Sequence, residues 1–251
     1  MTAIIITGAS SGIGEALALQ YATHGVVLGL TGRDHSRLEA VVDACRARGA
    51  VVEGIVMDVG DRAGMATWLE GFYGRHGCDL VIANAGVAGG VRGAAPESLD
   101  AARAMFKTNI DGVLNTIDPL IPHMASKGRG QIALVSSLAG FRGLAGAPAY
   151  AASKGFVKLY GEGLRGSLAP LGIKVSVICP GFVVSRITGL NHFPMPFLMA
   201  ADKAARIIAD GLQKNRARIA FPAPMVFGVW LLAALPATVS DWISRKLPAK
   251  D

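Results

Sequence analysis

TGASSGIG, residues 7–14, is the segment of this sequence from which we predict the fold. It follows a short apolar run and precedes apolar side chains at helical spacing. A turn that binds dinucleotide phosphates needs residues without side chains where the backbone bends and where the pyrophosphate comes close. Its serines can donate hydrogen bonds and the next helix can direct N–H groups at the phosphates, although an ordinary strand-to-helix turn is the alternative. The candidate cofactor-binding residues of this turn are Gly8, Ser10, Ser11, Gly12, Ile13 and Gly14.

Short apolar runs alternate with segments of helical pattern along the chain. Each run is apolar on both faces, as is typical of parallel strands that helices cover on both sides. The alternation implies right-handed crossovers and a doubly wound sheet. We therefore predict one α/β domain over residues 1–251, with a parallel sheet and helices on both faces. The predicted strands are Ala3–Ile6, Val26–Thr31, Val51–Met57, Leu80–Ala83, Gln131–Ser136 and Lys174–Ile178.

The composition excludes several classes of protein. Hydrophobic residues make up 51% of the 251 residues and charged residues 17%, so disorder is not expected. The net charge is +7, but the basic residues are scattered, which fits an anionic cofactor or membrane surface better than a nucleic acid. The widely spaced Cys45, Cys78 and Cys179 form neither a disulfide framework nor a zinc pattern, so we predict a reduced, cytoplasmic setting and no metal site.

Tyr150 and Lys154 are four residues apart on a predicted helix and therefore share one face. A tyrosine has a pKa near about 10 and is a poor base at neutral pH. A nearby ammonium favours the phenolate and is expected to lower the pKa of Tyr150, which would make it an effective general acid and base. The alternative is a surface tyrosine packed on a lysine stem.

Further short motifs lie along the chain besides the glycine turn and the Tyr150–Lys154 pair. They are Asp58-Val59, Asn84-Ala85-Gly86, Asn109, Ser136-Ser137 and Pro180-Gly181. With the glycine turn and Tyr150-x-x-x-Lys154, this ordered set resembles the short-chain dehydrogenase/reductase family, from Thr2 to about Pro222. The resemblance implies a Rossmann-type fold, a nicotinamide cofactor, and hydride transfer to or from a carbonyl or alcohol carbon.

The resemblance also implies four catalytic residues. Tyr150 would be the general acid and base, and Lys154 would also hold the nicotinamide ribose. Ser137, rather than Ser136, would bind the substrate oxygen, and Asn109 would anchor a water that leads to the lysine. Besides Tyr150, Lys154 and the glycine turn, the cofactor-binding residues implied are Asp58, Val59, Asn84, Ala85, Gly86, Pro180, Gly181, Val183 and Ser185. The last of these is a serine where the family usually has threonine.

The choice between NADP and NAD depends on the end of the second predicted strand. NAD-binding sites usually have an acid there, whereas an arginine accommodates the 2′-phosphate of NADP. Gly32 occupies the acidic position and Arg33 follows it, which favours NADP because a guanidinium can bind phosphate with two hydrogen bonds. Asp34 would favour NAD if the register shifted by one residue, and both side chains could instead be solvated.

Two C-terminal segments give the predictions about the substrate and the partners. Residues 181–200 are predicted to form a lid whose soft apolar side chains suit a hydrophobic substrate, although they could equally serve packing or a dimer contact. Residues 216–251 form an apolar extension, and its charge-free part, 219–239, could pack on its own domain or a partner subunit, attach peripherally to a membrane, or span it. Prolines argue against an uninterrupted span.

These observations predict an NADP-dependent oxidoreductase that acts on a hydrophobic carbonyl or alcohol. We expect a homodimer or homotetramer in the cytoplasm, with membrane association left open. The alternative function is a non-catalytic nucleotide-binding or sensing module, because the same fold can serve either role.

Overall fold

A computed structural model describes residues 1–89, 97–189 and 193–244 of the chain. Within these residues, seven parallel strands form one sheet in the order β3-β2-β1-β4-β5-β6-β7. The strands are β1 Thr2–Ile6, β2 Val26–Gly32, β3 Val51–Val56, β4 Leu80–Ala83, β5 Gly130–Val135, β6 Ile173–Pro180 and β7 Arg218–Phe221. The doubly wound parallel sheet that the sequence predicts is therefore confirmed.

Helices connect the strands and cover the sheet. They are α1 Gly12–Tyr21, α2 His35–Ala47, α3 Arg62–His76, α4 Leu99–Phe106, α5 Gly112–Ile117, α6 Ile121–Lys127, α7 Pro148–Leu168, α8 Arg186–Gly189, α9 Ala201–Gln213, α10 Ala223–Ala234 and α11 Ala237–Ser244. A π-helical turn, Lys107–Asp111, joins α4 to α5, and 3₁₀ turns occupy Leu138–Phe141 and Ala169–Leu171.

The first strand shows why the predicted runs are apolar on both faces. Ala3 and Ile5 belong to one hydrophobic cluster and Ile4 and Ile6 to another, and all four are buried. One cluster packs α1, α2 and α9 on the sheet, and the other packs α3, α5 and α7 on the opposite face. Burying each isoleucine contributes roughly 1.5–3 kcal/mol, so both sides of the strand stabilise the fold.

The seventh strand was not predicted. Its residues, Arg218–Phe221, pair with β6. No charged residue separates Ile219 from the apolar residues that follow. Hydropathy alone therefore does not distinguish this strand from the apolar extension. The apolar extension therefore begins inside the sheet and continues into α10 and α11.

The strand order places a crevice at the carboxyl ends of the central strands. From β1 the chain crosses to β2 on one side, and β4 pairs on the other side of β1. In doubly wound sheets, ligands bind outside the carboxyl ends of the strands where the winding reverses. The glycine turn of residues 7–14 directly follows β1 and therefore lies at this point.

Candidate active site

A cleft of about 370 Å³ opens at the carboxyl ends of the strands. It brings together all the predicted catalytic and cofactor-binding residues except Gly14 and Asn109, which lie behind its lining. Side chains that the sequence analysis did not assign also line it. These are Thr31, Arg37, Met57, Val87, Ala88, Thr108, Val135, Arg186, Ile187 and Thr188.

The glycine turn leaves its backbone bare where a side chain would not fit. Gly8 and Gly12 have φ of 67° and 59°, a conformation that glycine adopts at little cost. A Cβ added to Gly14 would lie 2.2 Å from the carbonyl oxygen of Gly8, so only glycine allows α1 to begin this close to the turn. Ser11 is the N-cap residue of α1, but its side chain makes no capping hydrogen bond. The exposed backbone and the start of α1 suit an anionic group.

Asn84 fastens the end of β4 to the glycine turn. Its side-chain Nδ2 donates to the carbonyl oxygens of Thr7 at 2.9 Å and Gly8 at 3.2 Å. The hydroxyl of Thr7 accepts hydrogen bonds from the backbone N–H groups of Asn84 and Ala85, both at 3.2 Å. The side chain predicted to bind the cofactor is therefore one that sets the shape of the cofactor turn.

Tyr150 and Ser137 meet on the opposite wall of the cleft. Tyr150 lies in the first turn of α7, which Pro148 opens, and a proline is common at this position of a helix. Ser137 is the N-cap residue of the 3₁₀ turn after β5, and its Oγ accepts from the backbone N–H of Ala139 at 3.1 Å. Ser136 is buried, and its hydroxyl donates to the carbonyl of Lys154 at 2.6 Å.

Lys154 and Asn109 approach the backbone at Gly86 together. A Cβ added to Gly86 would lie 3.3 Å from both Lys154 Nζ and Asn109 Oδ1. Asn109 is fully buried in the π-helical turn, where its amide pairs with both backbone groups of Val87 and donates to Ser153 Oγ at 3.0 Å. The backbone stays helical on both sides of this turn, at Lys107 and at Gly112.

The expectation that Lys154 lowers the pKa of Tyr150 is wrong. Burial raises the pKa of Tyr150, and the hydroxyl of Ser137, hydrogen-bonded to it, acts in the opposite direction. Lys154 Nζ lies 6.0 Å from the centre of the Tyr150 ring. Burial also lowers the pKa of Lys154 to about 8, because the ammonium is withdrawn from water. Desolvation therefore acts on both groups and favours their neutral forms.

Two arginines, Arg33 and Arg37, line the cleft beyond the end of β2. Gly32 is the last residue of β2, and Arg33 follows it with its side chain exposed. Asp34 is the N-cap residue of α2: its carboxylate accepts from the backbone N–H of Arg37 at 3.0 Å and forms an ion pair with the Arg37 guanidinium at 3.0 Å. Arg37 was not predicted, although an N-cap aspartate with a basic residue three positions later is a readable pattern.

The other predicted cofactor residues lie along the same cleft. Asp58 is exposed and accepts from the backbone N–H of Gly60 at 2.8 Å, while Val59 is buried. At the far end, the hydroxyl of Thr188 donates to the carbonyl of Val183 and accepts from the N–H of Ser185, both at 2.9 Å. The sequence analysis did not identify Thr188, because no motif marks it.

The apolar side chains of the predicted lid lie in different environments. Phe182 and Phe193 pack edge to face with their ring centres 5.9 Å apart, and Met199 packs against the core. Phe197 points into solvent, with 58% of its surface exposed. His192 lies outside the described residues. In the part of the chain that the structure describes, no three metal-ligating side chains gather, and no helix has the length and apolar character needed to cross a bilayer.

Comparisons with known proteins find relatives over most of the chain. The short chain dehydrogenase family model matches residues 2–192. An uncharacterized oxidoreductase of Myxococcus xanthus is 38% identical over 244 residues, which cover 97% of this chain and 96% of that protein. The NADP-dependent 3-hydroxy acid dehydrogenase YdfG of Salmonella typhi is 29% identical, covering 94% of this chain and 91% of that protein.

A solved structure shows the same likeness over the whole fold. The short-chain dehydrogenase from Sphingobium yanoikuyae in complex with NADPH superposes with a TM-score of 0.82 at 25% identity, over 99% of this chain and 97% of that one. The chain therefore belongs to the short-chain dehydrogenase/reductase family and is an oxidoreductase.

Proposed function

We propose that this chain transfers a hydride between NADP and the carbonyl or alcohol carbon of a hydrophobic substrate. The observation that carries the proposal is the placement of Ser137, Tyr150 and Lys154 in the same cleft as the glycine turn. A nucleotide-binding module without activity would need only the turn. The combination of a phosphate cradle and a half-buried tyrosine–serine pair in one cleft is what the reaction requires.

Residues of this chain would transfer the proton and bind the substrate oxygen. Ser137 and Tyr150 direct two hydroxyls at one point, so both can hydrogen-bond a carbonyl oxygen and stabilise the charge that develops on it. Tyr150 donates its proton to that oxygen in reduction and accepts it in oxidation. Nicotinamide supplies or takes the hydride when the cofactor is bound. Asn109 holds the backbone at Val87 in position, and Lys154, close to Gly86, would hold the nicotinamide ribose.

Two arginines support NADP over NAD. Arg33 and Arg37 both line the cleft beyond Gly32, where the 2′-phosphate of NADP would lie. The carboxylate of Asp34, which would favour NAD, is engaged by Arg37 and by the first turn of α2. The NADP dependence of the Salmonella typhi relative and the NADPH in the Sphingobium yanoikuyae complex agree with this preference.

A substrate screen tests the proposal. NADPH and NADH oxidation should be followed against ketones graded by size and polarity, with Tyr150→Phe as the matched control for background oxidation. We expect turnover with NADPH and an apolar ketone, and none with Tyr150→Phe. Tight NADPH binding without turnover on any ketone would favour the nucleotide-binding or sensing module instead. Equal turnover by Tyr150→Phe would exclude the proposed role of Tyr150.

A further inference from the structure

The helix α10 is apolar on every side. Its twelve residues, Ala223–Ala234, include no charged side chain and no side-chain hydrogen-bond donor except the indole of Trp230. One face packs Met225, Val226 and Val229 against a small cluster that contains Leu138. No residue of the helix is fully buried. A surface helix normally presents polar residues to water, so the outward face requires an explanation.

The outward face of α10 presents a stripe of large apolar side chains. Phe227, Trp230 and Leu231, spaced i, i+3 and i+4, have 64%, 56% and 45% of their surface exposed. The rings of Phe227 and Trp230 lie 6.3 Å apart, so the stripe is continuous. Contiguous exposed apolar patches of this kind mark a surface that binds a partner or a membrane.

Charge and length favour a lipid surface. Asp241 is the one acidic residue in 219–244, and it is paired with Arg142 at 3.2 Å. Arg216 precedes this segment in the sequence, Arg245, Lys246, Lys250 and one acidic residue, Asp251, follow it, and the chain carries a net charge of +7. Basic residues beside an apolar helix bind anionic lipids, and tryptophan prefers the membrane–water interface. A twelve-residue helix is about 18 Å long and cannot span a hydrocarbon core of about 30 Å, so it would lie in the interface.

The helix begins beside the active-site cleft. A Cβ added to Gly181, which lines the cleft, would lie 3.0 Å from the sulfur of Met225 and 3.0 Å from Pro222. Docking through α10 would therefore hold the cleft next to the membrane surface.

We propose that the outward face of α10 docks the protein on anionic lipid bilayers. The docked orientation places the cleft where a carbonyl or alcohol substrate dissolved in the bilayer can reach it. This second statement rests on the proposed function, whereas the docking does not.

Vesicle flotation of the full chain tests the docking. The probes are vesicles of phosphatidylcholine with phosphatidylglycerol, and vesicles of phosphatidylcholine alone, without cofactor or substrate. The test variant is Phe227→Ser/Trp230→Ser, and the matched control is Leu99→Ser/Leu171→Ser, which alters exposed leucines elsewhere on the surface. We expect the wild type and the control to float with the anionic vesicles, less so at high salt, and the test variant to bind about tenfold more weakly or worse.

A spectroscopic measurement reports on Trp230 itself. Trp242 is 61% exposed, so both proteins compared carry Trp242→Phe, which leaves Trp230 and the buried Trp68. Brominated phosphatidylcholine in the anionic vesicles should quench the tryptophan fluorescence of Trp242→Phe. Adding Trp230→Phe should leave flotation intact but remove most of that quenching.

Three outcomes would overturn the docking: wild-type protein that binds neither kind of vesicle, a test variant that floats like the wild type, and quenching that Trp230→Phe leaves unchanged. In the first case, a lower mass of the test variant in sedimentation equilibrium would assign α10 to a contact between two copies. Because the vesicles contain no substrate, failure of the ketone screen leaves this test intact. Failure of flotation likewise leaves the oxidoreductase proposal standing.

Discussion

The ammonium of Lys154 donates a hydrogen bond to the backbone carbonyl of Val135, with 2.9 Å between Nζ and the oxygen. Val135 ends β5, and the hydroxyl of the next residue, Ser136, donates to the carbonyl of Lys154 at 2.6 Å. The two bonds fasten the strand to α7 in both directions. The lysine is only 5% exposed, so its ammonium has lost most of its contact with water. This burial lowers the pKa of Lys154 to about 8.

Lys154→Met should therefore change stability in a pH-dependent way. A lysine in the unfolded chain has a pKa near about 10.4, so between about pH 8 and 10 the unfolded chain binds more protons at this residue than the folded chain. The destabilisation by the buried ammonium is complete below pH 8 and disappears as the pH rises towards 10. By urea unfolding at pH 7, the variant should exceed the wild type by about 2 kcal/mol, and this advantage should vanish near pH 10.

The comparison must be between the two proteins, because other groups titrate in the same range. Burial raises the pKa values of Cys45 and Cys179 to about 11 and of Cys78 to about 12. These thiols lose protons first in the unfolded chain, so the stability of either protein alone falls with rising pH. Their effect largely cancels when the free energy of unfolding of the wild type is subtracted from that of Lys154→Met. If this difference were the same at pH 7 and pH 10, the pKa of Lys154 would not be lowered in the folded protein.

Ser137→Ala should shift the alkaline end of the pH–rate profile for ketone reduction. In the proposed reaction, reduction needs Tyr150 protonated, so we expect its rate to be retained below the pKa of Tyr150 and lost above it. The Ser137 hydroxyl lowers that pKa. Removing the hydroxyl should move the decline to higher pH while also reducing kcat, because one donor to the substrate oxygen is lost. A decline at unchanged or lower pH would show that the two hydroxyls do not interact as described.

The six strands and the ordered motifs could be predicted because buried parallel strands carry an apolar pattern and the glycine turn has few alternatives. The loss of water around Tyr150 and Lys154, in contrast, could not be predicted from the sequence pattern. Spacing shows that Tyr150 and Lys154 share a helix face, but the burial that raises one pKa and lowers the other depends on β5 and the 3₁₀ turn. Glu97 is a further example: its sequence position suggests the start of α4, yet its carboxylate accepts from the N–H of Ala149.

Arg33→Ser should weaken NADPH binding selectively. The side chain is exposed beside the cleft, so its removal should leave the fold intact and take away one of the two partners that we propose for the 2′-phosphate. We expect the KM for NADPH to rise about tenfold and that for NADH to change little. Arg46→Ser, near the other end of α2, is the control and should change neither. Equal loss of affinity for both cofactors would place Arg33 outside the phosphate site.

Gly14→Ala should damage the cofactor turn and the fold together. The added Cβ would lie 2.2 Å from the carbonyl oxygen of Gly8 and 2.5 Å from Asn84 Nδ2, so α1 must move away from the turn. We expect a loss of about 1–3 kcal/mol in the free energy of unfolding and a higher KM for NADPH. Gly163→Ala on α7 is the matched control, because its Cβ would meet nothing within 4 Å and should be neutral or stabilising. Wild-type thermal stability in Gly14→Ala would mean that the turn is looser than described.

Glu97→Ala should lower turnover more than cofactor binding. Glu97 Oε2 accepts from the backbone N–H of Ala149 at 2.8 Å, which fixes the first turn of the helix that carries Tyr150. A carboxylate at a helix N-terminus is also favoured by the helix dipole, so the substitution should cost about 1 kcal/mol of stability. With that turn released, Tyr150 is less well held beside Ser137, and kcat should fall while the KM for NADPH stays near the wild-type value.

The controls separate this effect from stability alone. Ser98→Ala removes the cap of α4, where Ser98 Oγ accepts from the N–H of Ala101, and it should lower the melting temperature without lowering kcat. Glu97→Gln keeps an acceptor for Ala149 and should recover most of the turnover, because the position of the helix depends on the hydrogen bond rather than on the full charge. If Glu97→Ala and Ser98→Ala lose stability equally and both keep wild-type kcat, then Glu97 stabilises α7 but does not position Tyr150.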